Sequence, residues 1–290
     1  MYSADFDYYR AGSVTEAGEL LKTHPGAKLL AGGHSLIPLL KLRLAAPEAV
    51  IDIGRIAELR GISVSDGVVR IGSLTTHADL AGSADVQRHA AALAEAATQI
   101  GDPAVRNRGT VGGNVAHADP ASDLPTVLCA LGASLRMTGP GGERTVAASE
   151  FFQGVMTTSL GADELLTSID VPVAQAGQGS AYAKFAHPAS RYAVVGVAAC
   201  LTVAGGSCTD ASVAVGGVVP APTRATSVEQ ALVGQTLSAE AIGKAAQSVG
   251  GDLGDDAELL GDIFASAEYR KAVTHVWVQR AVTAAAGRAG

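Results

Sequence analysis

Leu30-Ala31-Gly32-Gly33-His34-Ser35-Leu36 and, eighty positions on, Gly109-Thr110-Val111-Gly112-Gly113-Asn114 carry two glycine pairs within a sequence of 290 residues. Glycine lacks a Cβ, so its N–H can face a concavity that other side chains would block. Successive N–H groups in such a turn form an anion nest, and a following helix adds its positive end. Two such loops facing each other would grip a diphosphate from both sides, which suggests a dinucleotide cofactor. A lone pair is often a plain turn. Two pairs, each beside hydroxyl and polar side chains, are more specific, and Ser35, Thr110 and Asn114 are candidate donors to phosphate oxygens. Neither site has GxGxxG spacing and no Walker A run occurs, so nicotinamide Rossmann and P-loop sites are not supported. Asp123, just before Leu124-Pro125, reads two ways: an acceptor for ribose hydroxyls or a helix N-cap.

Outward from the first pair, residues 5–9 read as a strand and Ser13-Val14-Thr15-Glu16 as a capping box opening a helix. Residues 28–31 are a strand entering the glycines, 36–44 a short helix with Pro38 near its first turn, and 49–53 a further strand. Around the second pair, 68–71 is a strand, 89–100 a helix, and 101–123 a long polar loop of the kind that carries function. Residues 124–131 read as a helix, 134–137 with 144–147 as a hairpin over Gly139-Pro140-Gly141-Gly142, and 165–171 as a strand. Residues 175–179 have linker composition. Beyond them, 180–185, 193–203 and 209–215 predict an antiparallel sheet, followed by helices over 238–249 and 267–284. In the last helix Tyr269, Val273, Val276, Trp277 and Arg280 line one side.

Apolar residues make up 48% of the chain, enough for a sizeable core, and the net charge of −7 with no Lys/Arg cluster argues against a nucleic-acid partner. The longest apolar run, 193–204, is broken by Gly196 and Thr202 and is too short to span a bilayer. Residues 1–10 show no signal-peptide pattern, so a cytoplasmic protein is expected, with membrane contact at most through partners. Cys129, Cys200 and Cys208 lack CxxC spacing and read as ordinary buried thiols, leaving no metal site. His24, His77, His89 and His275 have no ligand spacing and read as surface or helix residues. No Ser-His-Asp order, paired-carboxylate site or HExxH motif stands out, so no catalytic residue is assigned.

Taken together, 30–36, 109–114, 119–125 and 184–198 resemble the medium, FAD-binding subunit of the molybdenum hydroxylases, a family that includes aerobic carbon monoxide dehydrogenase and the flavin domain of xanthine dehydrogenase. The likeness extends to Phe6-Asp7-Tyr8, 32–44, 102–114 and 139–142, and within the family it leans toward the carbon monoxide dehydrogenase medium chain. It implies an α+β fold of the vanillyl-alcohol-oxidase (PCMH-like) type. Two FAD-binding subdomains, 1–55 and 56–174, would precede an antiparallel sheet-and-helix domain, 179–290. It implies non-covalent FAD whose diphosphate is gripped by Ala31, Gly32, Gly33, His34, Ser35 and Leu36 and by Thr110, Val111, Gly112, Gly113 and Asn114. Asp123 would contact the ribose, Tyr192 would lie beside the isoalloxazine, Lys184 near the ring, and Leu166 would pack on it. His34 is expected to hydrogen-bond locally and not to bond the flavin.

The resemblance further implies a large partner holding molybdopterin and a small partner holding iron–sulfur clusters, arranged as a dimer of heterotrimers. This chain would pass electrons from those clusters to an external acceptor, with carbon monoxide oxidised in the large partner. Two single positions and one segment depart from the pattern. Val111 replaces isoleucine, His117 stands where a smaller or amide side chain is usual, and His187-Pro188-Ala189-Ser190-Arg191 replaces a more basic, glycine-containing turn before Tyr192. Two other readings are a self-contained flavin oxidoreductase, which needs an acid or base beside the ring, and a nucleotide-binding structural subunit with no turnover.

Overall fold

A computed structural model describes residues 2–289. Asp7–Arg10, Ala49–Asp52 and Lys28–Leu30 form a three-stranded parallel sheet with Ala49–Asp52 at its centre. Parallel neighbours need a crossover. The stretch carrying helix Leu36–Lys41 crosses from Lys28–Leu30 to the central strand, and helix Val14–Thr23 joins the two outer strands, opened by the Ser13 hydroxyl, which accepts the Glu16 amide at 3.1 Å. Glu16 reaches back to the Gly12 amide (2.6 Å), one residue earlier than in a standard box. The short helix after the first glycine pair runs Leu36–Lys41, ending sooner than the sequence suggests, and Arg43 leaves it with a left-handed backbone.

The second sheet is antiparallel, in the order Ile62–Ser65, Val68–Gly72, Leu165–Pro172, Ser134–Gly139, Gly142–Ala147. Strand alternation turns Val69, Ile71, Leu135, Met137, Ile169 and Val171 onto one core with helices Ala91–Gln99 and Asp123–Ala130. On the opposite face Asp170 pairs with Arg70 (2.8 Å) and Arg136 (3.0 Å). The Gly139-to-Gly142 hairpin forms as read.

Two sequence expectations fail in this region. The helix read over 89–100 is two, Ala84–His89 and Ala91–Gln99, broken at Ala90. The supposed loop 101–123 contains two helices, Pro103–Arg106 and Val111–His117. Glycine and polar residues hide these helices from periodicity, but Asp102 and Thr110 cap them: Asp102 accepts the Val105 amide and Thr110 the Gly113 amide.

The third sheet, Gln178–Ala186, Ala193–Ala204, Ser207–Gly216, Thr223–Arg224, is antiparallel. Its first strand starts inside the stretch read as linker. One face packs on the C-terminal helices through Val195, Val197, Val213 and Val215; the other docks on the helices of the second unit through Tyr182, Ala198 and Ala214. Being covered on both sides explains why every residue of Ala193–Leu201 is buried and nearly all are apolar.

Helix Ala239–Ala246 starts from its Ser238 cap, and helix Thr226–Leu232 was not read from sequence. The final helix, Ala267–Ala286, buries Arg270, Thr274, Val278, Ala281, Val282 and Ala285, and Val273 and Trp277 of the side named from sequence pack partly buried against the same core. Arg270 turns inward because acceptors meet it there: Gly217 O at 2.7 Å and Asp262 at 2.5 Å. Trp277 lies flat on Phe185, and the Arg280 guanidinium also stands over its ring at 4.3 Å from the centroid. Cys129, Cys200 and Cys208 are free and buried; burial pushes the Cys129 thiol up to about 12 and the Cys200 thiol to about 11, so neither is a ready nucleophile. Among the described residues no helix is long and apolar enough to cross a membrane.

Candidate functional site

Both glycine segments reach the wall of one cavity of about 680 Å³, the size of a small-molecule or cofactor site. Strand Lys28–Leu30 delivers Ala31–Leu36 to it, and Thr110, Gly112, Gly113 and Asn114 come from the start of helix Val111–His117. Asp123, Leu166 and Tyr192 also line it. Two of the sequence-derived candidates do not: Val111 is fully buried behind the wall, and Lys184 is buried beneath it.

The two loops touch each other directly. A Cβ on Gly32 would stand 2.1 Å from the carbonyl oxygen of Arg108 and 3.0 Å from the Cα of Gly109. Glycine at 32 is therefore required by loop–loop packing. Gly33 has φ +77°, the left-handed region in which a side chain is strained.

The backbone donors differ sharply between the loops. Among the described residues, the N–H groups of Gly32, Gly33, His34, Ser35 and Leu36 find no protein acceptor. In the second loop they are engaged: Val111 N–H donates to Thr75 O, Gly112 to Ser73 O, Gly113 to Thr110 Oγ1 and Asn114 to Thr110 O. The open amides are thus on one side only, because carbonyls of the 73–75 segment and the Thr110 cap already receive the donors of the second pair. Asn114 Nδ2 gives one of its two N–H groups to Ser122 Oγ at 3.1 Å, and among the described residues its buried Oδ1 has no partner. It offers an acceptor, which suits a hydroxyl and not a phosphate oxygen. His34 Nδ1 sits 3.1 Å from Gly32 O, a local contact.

Asp123 is not the N-cap; Ser122 holds that position and Asp123 is the first helical residue. Its carboxylate accepts from Tyr182 Oη at 2.5 Å and Lys184 Nζ at 2.8 Å, and Lys184 also donates to Gln99 O at 3.3 Å. Burial drives the Asp123 carboxyl up, opposed by Lys184 and Tyr182. Residues 180, 182 and 184 share one face of their strand, and all three reach across: Ser180 Oγ accepts the Ala92 amide and Glu95 accepts the Tyr182 amide. Lys184 is therefore part of the bond between the third sheet and the second unit.

Sequence reasoning missed His77. It opens helix His77–Gly82 after the Thr76 cap, donates its amide to Gly109 O (3.0 Å), and is buried against the cavity with Nδ1 unpartnered. Thr76-x-x-Asp79 marks the helix start, but the burial is tertiary. Burial, then the nearby His34 and Arg106, lower its pKa to about 4. The sign follows directly. Above the unfolded value of 6.5 both states are neutral, whereas below it the unfolded chain takes a proton that the folded chain refuses. Stability should therefore fall by about 3 kcal/mol as pH drops from 6.5 towards 4. Urea unfolding of cofactor-free protein at pH 7 and pH ~4.5 should show this drop, and His77→Phe should lack most of it. An equal drop in the variant would remove His77 as its source.

The family model described as the FAD binding domain in molybdopterin dehydrogenase matches residues 4–174, and that of the CO dehydrogenase flavoprotein C-terminal domain matches 180–285. The carbon monoxide dehydrogenase medium chain of Afipia carboxidovorans is 39% identical over 100% of this chain and 99% of its own length. The nicotine 6-hydroxylase medium subunit of Paenarthrobacter nicotinovorans is 36% identical over 97% of each. Among solved structures, carbon monoxide dehydrogenase from Hydrogenophaga pseudoflava, lacking the Mo-pyranopterin moiety of its cofactor, matches with a TM-score of 0.94 at 41% identity over 99% of both chains.

Proposed function

We propose that this chain, which belongs to the FAD-binding family of molybdopterin dehydrogenases, serves as the medium chain of a carbon monoxide dehydrogenase. It is an oxidoreductase subunit with FAD as its cofactor, in the α+β fold of that family. The observation that carries the reading is the run of five unpartnered amides, Gly32–Leu36, on the wall of a cofactor-sized cavity. That donor row suits a diphosphate, and the unpartnered Asn114 Oδ1 suits a sugar hydroxyl.

In this reading Gly32–Leu36 bind the diphosphate, with the Ser35 and Thr110 hydroxyls beside it. Gly112 and Gly113 keep the opposite wall low, and Val111 anchors it from behind. Leu166 and Tyr192 orient the ring, and Asp123 faces the ribose while Lys184 holds its carboxylate in place. When bound, FAD supplies storage for two electrons and their release to an acceptor. Glu164, the other carboxylate on the wall, is clamped by Arg144 at 2.6 Å. Neither carboxylate is a free base, which favours an electron-transfer subunit over a self-contained oxidoreductase.

The remaining assignments rest on family likeness. They are a small iron–sulfur partner delivering electrons, a large molybdenum partner oxidising the substrate, a dimer of heterotrimers, and a cytoplasmic complex that meets the membrane at most peripherally. The division into 1–55, 56–174 and 179–290 is proposed on the same ground. Carbon monoxide is favoured by the 39% and 40% identities to carbon monoxide dehydrogenase medium chains, although a nicotine 6-hydroxylase subunit is nearly as similar.

The chain purified alone should be yellow, release FAD on acid treatment and oxidise nothing; co-purified with both partner chains it should reduce a dye with carbon monoxide. A protein that stays colourless after FAD addition would sink the flavin assignment. Turnover of a small substrate by the lone chain would sink the subunit role.

A further inference from the structure

We propose that His187 is the positioning residue that sets Tyr192 on the wall of the cavity. The loop joins strands Gln178–Ala186 and Ala193–Ala204, and its residues Ser190, Arg191 and Tyr192 line the cavity. His187 Nδ1 accepts two backbone amides, those of Ala189 and Ser190, each at 3.2 Å. Pro188 has no N–H to offer, so the ring reaches the next two residues, as an Asn or Asp side chain does in an Asx turn. The His187 backbone closes the other side: its N–H donates to Tyr192 O at 2.8 Å and its carbonyl accepts from Arg191 N–H at 2.8 Å. Ser190 Oγ then accepts the Tyr192 amide at 3.3 Å.

Arg191 must adopt φ +61° to complete this turn, a conformation a glycine would take at less cost. Acceptance of two N–H groups requires Nδ1 to be unprotonated, so the neutral ring carries its hydrogen on Nε2. Phe264 packs against the imidazole in an edge arrangement, with centroids 4.6 Å apart. On the far side the Ala193 amide donates to Ala121 O (3.0 Å), tying the end of the turn to the segment before Asp123. Burial, followed by the Asp119 and Asp123 charges, raises the Tyr192 phenol, so it stays neutral beside the cavity. His187 thus touches no cofactor; it acts through Tyr192.

The part of this proposal that concerns the flavin rests on the functional reading above; the part that concerns the loop does not, and the two are tested separately. Amide hydrogen exchange on the cofactor-free chain reads the loop. Ala189 and Ser190 should be protected in the wild type, exchange about tenfold faster in His187→Leu, and regain protection in His187→Asn, whose Oδ1 replaces Nδ1. Unchanged exchange in His187→Leu would overturn the proposal. With FAD loaded, His187→Leu should keep its cofactor but show brighter flavin fluorescence and easier iodide quenching, and His187→Asn should reverse both. In a Tyr192→Ala background, His187→Leu should add nothing. An additional effect there would mean that His187 acts on the cavity by another route, which also overturns the proposal. A wild-type chain that holds no FAD would defeat the functional reading alone.

Discussion

Gly32→Ala should cost this chain its flavin. The added methyl would stand 2.1 Å from Arg108 O and 2.9 Å from Arg108 C, both main-chain atoms that cannot rotate away. The two glycine segments would have to part by roughly 1 Å to regain ordinary contact. That movement shifts the run Gly32–Leu36, whose free amides form the proposed diphosphate grip. Loss of two hydrogen bonds to a charged group, at about 1.5–3 kcal/mol each, weakens FAD binding by about a hundredfold or more. Equilibrium dialysis with FAD measures it. Gly141→Ala, at the hairpin tip with nothing within 4 Å and no left-handed backbone, is the control and should bind as the wild type does. If Gly32→Ala bound FAD with unchanged affinity, the contact between the loops would have no bearing on the cofactor.

Lys184→Met should be among the most destabilising single changes in the fold. It removes the cation from a buried carboxylate and leaves Asp123 with only the Tyr182 hydroxyl. Breaking a buried pair from one side costs about 3–5 kcal/mol, because the remaining charge has lost its partner. It also removes the donor on Gln99 O, at the end of helix Ala91–Gln99. For a chain of this size the melting temperature should fall by about 10 °C. Adding Asp123→Asn should recover part of the loss, since the stranded charge is then gone. The same variant separates the two roles considered for Lys184. As a link between the third sheet and the helices of the second unit, its loss lowers thermal stability of the cofactor-free protein; as a flavin neighbour alone, its loss would leave that stability unchanged.

Much of the architecture was legible because it rests on local physics. The Ser13–Glu16 box, the Gly139–Gly142 hairpin and the apolar strands each carry their own turn chemistry or periodicity. The terminal helix was placed along the chain, but the inward turn of Arg270 was not legible, because only tertiary structure brings Gly217 O and Asp262 to receive it. The helices within 101–123 escaped because Gly112, Gly113 and Asn114 weaken every helical signal, and only their caps betray them. The site was legible as a set of residues and illegible as a set of donors. Which glycine amides are free depends on whether a carbonyl such as Ser73 O or Thr75 O lies opposite.

By itself, the sequence determined where the chain bends and that two backbone segments can approach something closely, since these follow from the absence of a Cβ and from capping side chains within four residues. Tertiary structure alone decided the rest. It set the carbonyls of Ser73 and Thr75 against the amides of the second glycine segment while leaving those of the first open, drew Lys184 onto Asp123, and sealed His77 away from water. Hydrogen bonding and desolvation depend on what lies opposite a group in space, and for most of these groups that partner is encoded tens of residues away.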